Sequence, residues 1–292
     1  MLQTSRKKTL LADLGLFYAA AIWGSTFFLV KSALSGIDPV VMVGYRFLIA
    51  GIILALYLLA RKQNILRDLK KGLALAIILW LLYIPQTIGL KYTTASNSGF
   101  ITGLFVAFVP LFMKTIFKRT PTISEIAASG VALIGLWILT GGLKEINIGD
   151  LLTLIAAMTY ALHLLLSDKY MKQGIDPIRL ACQQFLIVGL LSIASAATFK
   201  LPFGITTASA LHITIFLALF PTMTAFVIQL LAQKITSPLR VSLIFALEPV
   251  FAGLFAWTLG GEQIQLHGVI GGLLIFAALI LSGLPSKPLT KR

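Results

Sequence analysis

Gly36-Ile37-Asp38-Pro39 stands in the first half of the chain, and Gly174-Ile175-Asp176-Pro177 stands in the second. A little further on, Phe47-Leu48-Ile49-Ala50-Gly51 is answered by Phe185-Leu186-Ile187-Val188-Gly189 at the same offset of 138 residues. Taken singly, the Gly-x-Asp-Pro string is a turn. Glycine closes a helix in the left-handed conformation, aspartate caps the next helix and proline suits its first turn. Its recurrence decides the fold, because other landmarks fall in the same order along both halves. Asp13 matches Asp150, Gly130-Val131 matches Gly268-Val269, and Pro110 matches Pro249. Gln86, Lys91 and Thr93 match Gln229, Lys234 and Thr236. An ordered series of this kind marks an internal repeat.

Composition says what is repeated. The 292 residues are 58% hydrophobic and 12% charged, against roughly 25% charged in a soluble domain. Apolar stretches recur from end to end, each long enough to cross about 30 Å of hydrocarbon as a helix. A β-barrel is excluded, because its strands would alternate apolar and polar. The pattern predicts an all-α polytopic membrane protein with ten spans. They fall at about 13–34, 40–60, 72–91, 95–116, 123–141, 149–169, 177–199, 208–232, 237–259 and 265–283. Arg6-Lys7-Lys8 followed by an apolar run containing Ala19-Ala20-Ala21 has the outline of a signal peptide. Asp13 interrupts that run, which continues through Phe27-Phe28-Leu29-Val30, as expected of a retained first span. Cys182 is the single cysteine and falls in an apolar segment.

Short loops make consecutive spans antiparallel, and an even number puts both termini on one side. Nineteen of the 24 basic residues fall on that side, from Arg6-Lys7-Lys8 to Lys287, Lys291 and Arg292. The other connections hold Lys31, Lys91, Lys144 and Lys200. The positive-inside rule assigns the richer side to the cytoplasm. The expectation is an integral protein of the inner membrane with both termini cytoplasmic. The net charge of +14 is then a topology signal, and no nucleic-acid partner is expected. Each half holds five spans, an odd number, so the second half enters upside down. The expected organisation is a cytoplasmic segment 1–12, a first repeat 13–142, a second repeat 148–284 and a basic tail 285–292. Two inverted-topology five-helix repeats are the architecture of alternating access, with a site between the halves near the midplane. Monomer and homodimer both stay open.

Several strings resemble the drug/metabolite transporter superfamily in its EamA-type branch. They are Ala21-Ile22-Trp23-Gly24-Ser25, Tyr92-Thr93-Thr94-Ala95-Ser96-Asn97, and Leu247-Glu248-Pro249-Val250 followed by Gly260-Gly261-Glu262. The resemblance covers roughly residues 13–283. It implies two EamA domains, a central cavity lined by spans 1–4 and 6–9, and peripheral spans 5 and 10. It also implies transport of small metabolites, often amino acid export. The first half departs from the pattern, with Phe108-Val109-Pro110 where the second has Leu247-Glu248-Pro249.

Polar groups inside a span are costly and tend to face a cavity or one another. Trp23 and Thr26 share one face of span 1, and Tyr160 and His163 occupy the matching positions of span 6 at an offset of 137. Ser167 lies a further turn on. Interfacial aromatics and helix-packing hydroxyls are the plainer explanation, and His163 reads equally as a buried group satisfied by a neighbour. Tyr45-Arg46 in span 2 corresponds to Gln183-Gln184 in span 7. Arg46 either snorkels outward or faces the cavity as a fixed cation for a substrate carboxylate. Tyr83, Gln86 and Thr87 lie in span 3, Asn97 opens span 4, and Gln229 in span 8 matches Gln86. Amides of this kind bind substrate or join helices, the latter worth only about 0.6 kcal/mol. Pro85, Pro110, Pro221 and Pro249 are expected helix bends.

Glu248 is the strongest single candidate. It falls about eleven residues into span 9, where an ionised acid costs on the order of 3 kcal/mol to insert. An acid there, able to be charged in one state and neutral in another, meets the requirement for proton coupling. The alternatives are a cap on distorted backbone or a pair with Arg46. Asp168, Asp176, Glu125, Glu145 and Glu262 read as caps or loop charges, and His212 and His267 as solvated. No His-Glu-x-x-His, Gly-x-Ser-x-Gly, metal-ligand cluster or phosphate loop is present, so neither catalysis, a cofactor nor a metal is expected. The expected function is a secondary transporter of a small amphipathic metabolite such as an amino acid. A lipid flippase or scramblase is the alternative. An intramembrane enzyme would need Glu248 and His163 in hydrogen-bond reach.

Overall fold

A computed structural model describes residues 6–142, 146–258 and 266–282. Glu145, the Gly260-Gly261-Glu262 string and the tail 285–292 lie outside the described residues. Within them there is no strand. Among the described residues nine helices are long and apolar enough to span a membrane, and a tenth, Leu266–Ser282, is 17 residues long. Spans 1, 2, 3, 5, 6 and 7 are single helices: Arg6–Ala33, Pro39–Ala60, Leu69–Gly89, Ile123–Thr140, Ile148–Lys172 and Pro177–Thr198. Spans 4, 8 and 9 are composite, and span 10 is the 17-residue helix. Below, the face on which span 1 begins is the N-face.

Both Gly-x-Asp-Pro strings build the turn their sequence predicts, with one difference. The Asp38 carboxylate accepts from the Val40 N–H at 2.9 Å and Asp176 from the Arg179 N–H at 2.7 Å, each with proline as the first helical residue. Gly174 has the expected left-handed backbone, φ +78°. Gly36 is not among the positive-φ glycines; an added Cβ there would meet the Thr207 hydroxyl and Ala210. Its carbonyl instead accepts the Thr206 N–H at 2.8 Å, so close approach between the halves selects glycine.

The halves interlock through matching contacts. Span 2 lies along span 7: Gly51 receives Leu186, and Gly189 receives Leu48. Gly51 and Gly189 are repeat mates, as are Leu48 and Leu186. The mated rings Phe47 and Phe185 meet edge-on at 5.6 Å. Each residue therefore contacts the partner of its own mate, as a pseudo-two-fold axis requires.

Spans 5 and 10 pack chiefly on each other, away from the centre, as the resemblance implies. A Cβ at Gly271 would collide with the Gly135 carbonyl and the Leu139 backbone. Gly271→Val is expected to destabilise the protein by about 1–3 kcal/mol through overpacking. A lower thermal midpoint in detergent checks this; an unchanged midpoint would show that the pair can separate freely.

The prolines act less uniformly than expected. Pro249 does start a new helix: span 9 is Pro238–Phe245 followed by Glu248–Thr258. Proline supplies no N–H for the Phe245 carbonyl, and its ring crowds that group. Span 4, however, breaks at Leu104, between Ala95–Gly103 and Phe105–Thr115, and Pro110 sits inside the second piece. The break follows the weak helix former Gly103 rather than the proline. Pro85 lies within the unbroken helix Leu69–Gly89. Pro221 lies in the π-helix Ala218–Thr224, between Ala208–Leu217 and Ala225–Gln233 of span 8.

Candidate functional site

The π segment of span 8 provides an anchor. Pro221 has no N–H for the Leu217 carbonyl, and the Thr222 hydroxyl donates to that carbonyl instead, at 2.7 Å. The same hydroxyl oxygen accepts a hydrogen bond from Arg46 Nε. Arg46 is buried, with only 3% of its surface exposed, so the snorkelling alternative is excluded. Its second polar partner is the Tyr83 hydroxyl at 3.3 Å, and its guanidinium lies 4.7 Å from the Tyr83 ring centre. Among the described residues no carboxylate comes within ion-pair distance of Arg46, so the expected alternative pairing with Glu248 is not formed.

Arg46 faces a central cavity of about 40 Å³, room for little more than water. Trp23 and Thr26 line it from span 1, Tyr83, Gln86 and Thr87 from span 3, Tyr160 from span 6 and Glu248 from span 9. Phe226 closes it from span 8. Trp23 is fixed by donating its Nε1–H to the Pro221 carbonyl at 2.7 Å, and its ring packs edge-on against Phe226 and Phe245 at 5.1 and 4.8 Å. Tyr160, the repeat mate of Trp23, lies 6.2 Å from it and donates its hydroxyl to Glu248 Oε1 at 3.3 Å. Gln86 donates to the Thr102 hydroxyl at 2.9 Å, joining spans 3 and 4. Gly24 lets the start of the Glu248 helix approach span 1, since a Cβ there would strike the Glu248 carbonyl.

Five sequence candidates are spent elsewhere. Gln183 donates its amide to the Ile65 and Arg67 carbonyls at 2.5 and 2.7 Å, holding the connection between spans 2 and 3. The Tyr45 hydroxyl donates to the Phe203 carbonyl at 2.9 Å in the loop before span 8. His163 Nε2 pairs with Gln184 Oε1 at 2.8 Å, and Gln229 donates to Gln233 at 3.5 Å. His163 meets the Phe226 ring edge-on at 5.8 Å and does not line the cavity. The acid–base pair required by the intramembrane-enzyme alternative is therefore not formed. Asn97 opens span 4, where its N–H donates to the Thr94 hydroxyl, and it too lies outside the cavity lining.

Asp168 is a correction of another kind. It is fully buried and accepts from Arg119 Nη1 at 2.5 Å, with Lys172 Nζ 3.8 Å away, so it is neither a cap nor a loop charge. Asp176 and Glu125 do cap their helices, and His212 and His267 are exposed. Thr102, Thr222 and Phe226 were missed as site residues. The pairing of Thr222 with the proline before it was the one available signal.

The architecture and the central cavity with its buried polar groups define a class: a two-repeat helical integral membrane protein of the transporter type. Residues 10–141 and again 147–284 match the EamA-like transporter family, and the chain belongs to that family. It is 33% identical over 277 residues to an uncharacterized transporter of Archaeoglobus fulgidus, covering 95% of this chain and 87% of that one. It is 27% identical to YedA, an uncharacterized inner membrane transporter of Escherichia coli strain K12, over 94% of this chain and 92% of that one. The S-adenosylmethionine/S-adenosylhomocysteine transporter of Chlamydia muridarum is 25% identical, over 85% of this chain and 84% of that one. A solved crystal structure shares the fold with a TM-score of 0.77 at 19% identity, covering 93% of this chain and 96% of that one.

Proposed function

We propose that the chain is a secondary transporter, in the export direction, of a small amphipathic zwitterion of the amino acid class. One observation carries this reading: Arg46 is a buried cation without a carboxylate partner, facing a cavity walled by aromatic rings. A substrate carboxylate would supply the missing counter-charge bidentately, and Trp23, Tyr83 and Tyr160 would hold the apolar part. Gln86 would take a further polar group. Glu248, beside Tyr160, would carry the coupling proton. The Chlamydia relative is named for substrates that join an amino acid to a large aromatic group, which is chemistry of the same kind. A lipid pathway would need an apolar opening, whereas this cavity presents Arg46, Gln86 and Glu248. The excess of basic residues on the N-face supports a cytoplasmic N-face. The contracted cavity means that loading requires the spans to separate.

Counterflow in proteoliposomes tests the proposal, using aromatic amino acids and S-adenosylmethionine beside amines that lack the carboxylate. The expected result is exchange of carboxylate-bearing compounds only. Equal exchange of the amines, or none of any compound, would remove it.

A further inference from the structure

The cavity lies on one side of the midplane. Val30 and Leu90 line it near the ends of spans 1 and 3, whereas Arg46 and Thr102 line it a few residues into spans 2 and 4. All four positions lie toward the face opposite the N-face. Three of its polar liners have repeat mates: Thr26 with His163, Arg46 with Gln184, and Gln86 with Gln229. None of the three mates lines the cavity. All three are fully buried in the N-face halves of their spans, and His163 packs against Phe226.

His163 pairs with Gln184, and Gln229 pairs with Gln233, but their hydrogen bonding is incomplete. His163 Nδ1, Gln184 Nε2 and Gln229 Oε1 are buried without a partner, as is the Ser167 hydroxyl one turn beyond His163. Buried polar atoms are nearly always paired, so four orphans on adjoining helices call for an explanation. Toward the N-face beyond them, the halves are tied by charge. Arg240, at the start of span 9, grips Asp13 of span 1 with two hydrogen bonds of 3.0 and 2.7 Å. Arg119, after span 4, holds Asp168 of span 6, and Arg179 approaches Asp68 at 3.9 Å. Each pair joins one half to the other. On the opposite face, the repeat mate of Asp13 makes a different tie: Asp150 accepts from the neutral Thr93 hydroxyl at 2.5 Å.

We infer that His163, Gln184 and Gln229 line a second vestibule, shut in this conformation. It opens to the N-face when the Asp13–Arg240 and Arg119–Asp168 pairs part, and there takes the polar end of the zwitterionic substrate. The inverted repeat makes this the counterpart of the central cavity, with the orphaned amide, imidazole and hydroxyl groups as its unused ligands. The inference rests on the alternating-access reading above, but its test requires no substrate.

The test is thiol labelling with a water-soluble maleimide in detergent. Cys182, the chain's single cysteine, is replaced by alanine, and Ser167→Cys or Thr26→Cys is introduced into that background. With the ion pairs intact, Cys at position 167 should label slowly and Cys at position 26 faster. Asp13→Asn should raise labelling at position 167 about fivefold, the population shift expected from losing one modest interaction. It should lower labelling at position 26. Exchanging the pair, Asp13→Arg with Arg240→Asp, should restore the slow rate at 167. A position 167 that stays unlabelled when the pair is removed would overturn the vestibule. A parallel rise at both positions would do so as well, since that is general loosening.

Discussion

Arg46→Gln is expected to weaken substrate binding by about 30-fold or more, the lower end of the loss when one partner of a buried hydrogen-bonded charge pair is removed. The same change should leave folding stability largely intact. The guanidinium is buried against two hydroxyls without a counter-charge, and burial of an ion costs more than those bonds return. A purely structural arginine would give the opposite pattern, with lost stability and preserved affinity. Arg46→Lys should fall between, because an ammonium keeps the charge and lacks the planar fork that meets a carboxylate on two atoms. Titration calorimetry on solubilised protein, with a thermal melt of each variant, decides the matter. Unchanged affinity in Arg46→Gln would eliminate the carboxylate-binding role.

Glu248→Gln should separate two activities that the wild type combines. Counterflow needs only binding and reorientation, and should persist. Accumulation driven by a pH gradient needs a group that exchanges a proton during the cycle, and should disappear. Tyr160→Phe removes the hydroxyl that donates to Glu248 at 3.3 Å. It should shift the pH dependence of accumulation while leaving transport measurable. Gradient-driven accumulation that survives in Glu248→Gln would dismiss this residue as the proton carrier.

The sequence was most legible where one residue type has one physical use. Asp38 and Asp176 cap because a short carboxylate before Pro-led helices has little else to do, and the spans follow from hydropathy and length. The cavity was legible in part. Trp23, Thr26, Arg46, Tyr83, Gln86, Tyr160 and Glu248 all line it, since polar or aromatic groups deep in a span tend to be there for a reason. Gln183 misled because an amide facing the interior and an amide capturing loop carbonyls look alike in one dimension. His163, Gln184 and Gln229 misled differently. The repeat matches them with Thr26, Arg46 and Gln86, yet they lie outside the cavity lining, because mates in inverted halves fall at opposite depths of the membrane. Pro110 failed because the weak point of span 4 lies at Gly103 and Leu104, outside the proline's local reach.

The seam between spans 2 and 7 has a mechanical consequence. Gly51 holding Leu186 and Gly189 holding Leu48 are one contact seen from two ends. In the proposed exchange of roles between the halves, that seam would map onto itself, so its energy would be the same before and after. It would then serve as a fulcrum, with the tilt of the beam set by whatever differs between the two ends. Charged ties weigh on the N-face, and a neutral threonine–aspartate tie weighs on the other. A bulky residue at either glycine would strain both positions of the balance alike, lowering the stability of the molecule while leaving its preferred tilt unchanged.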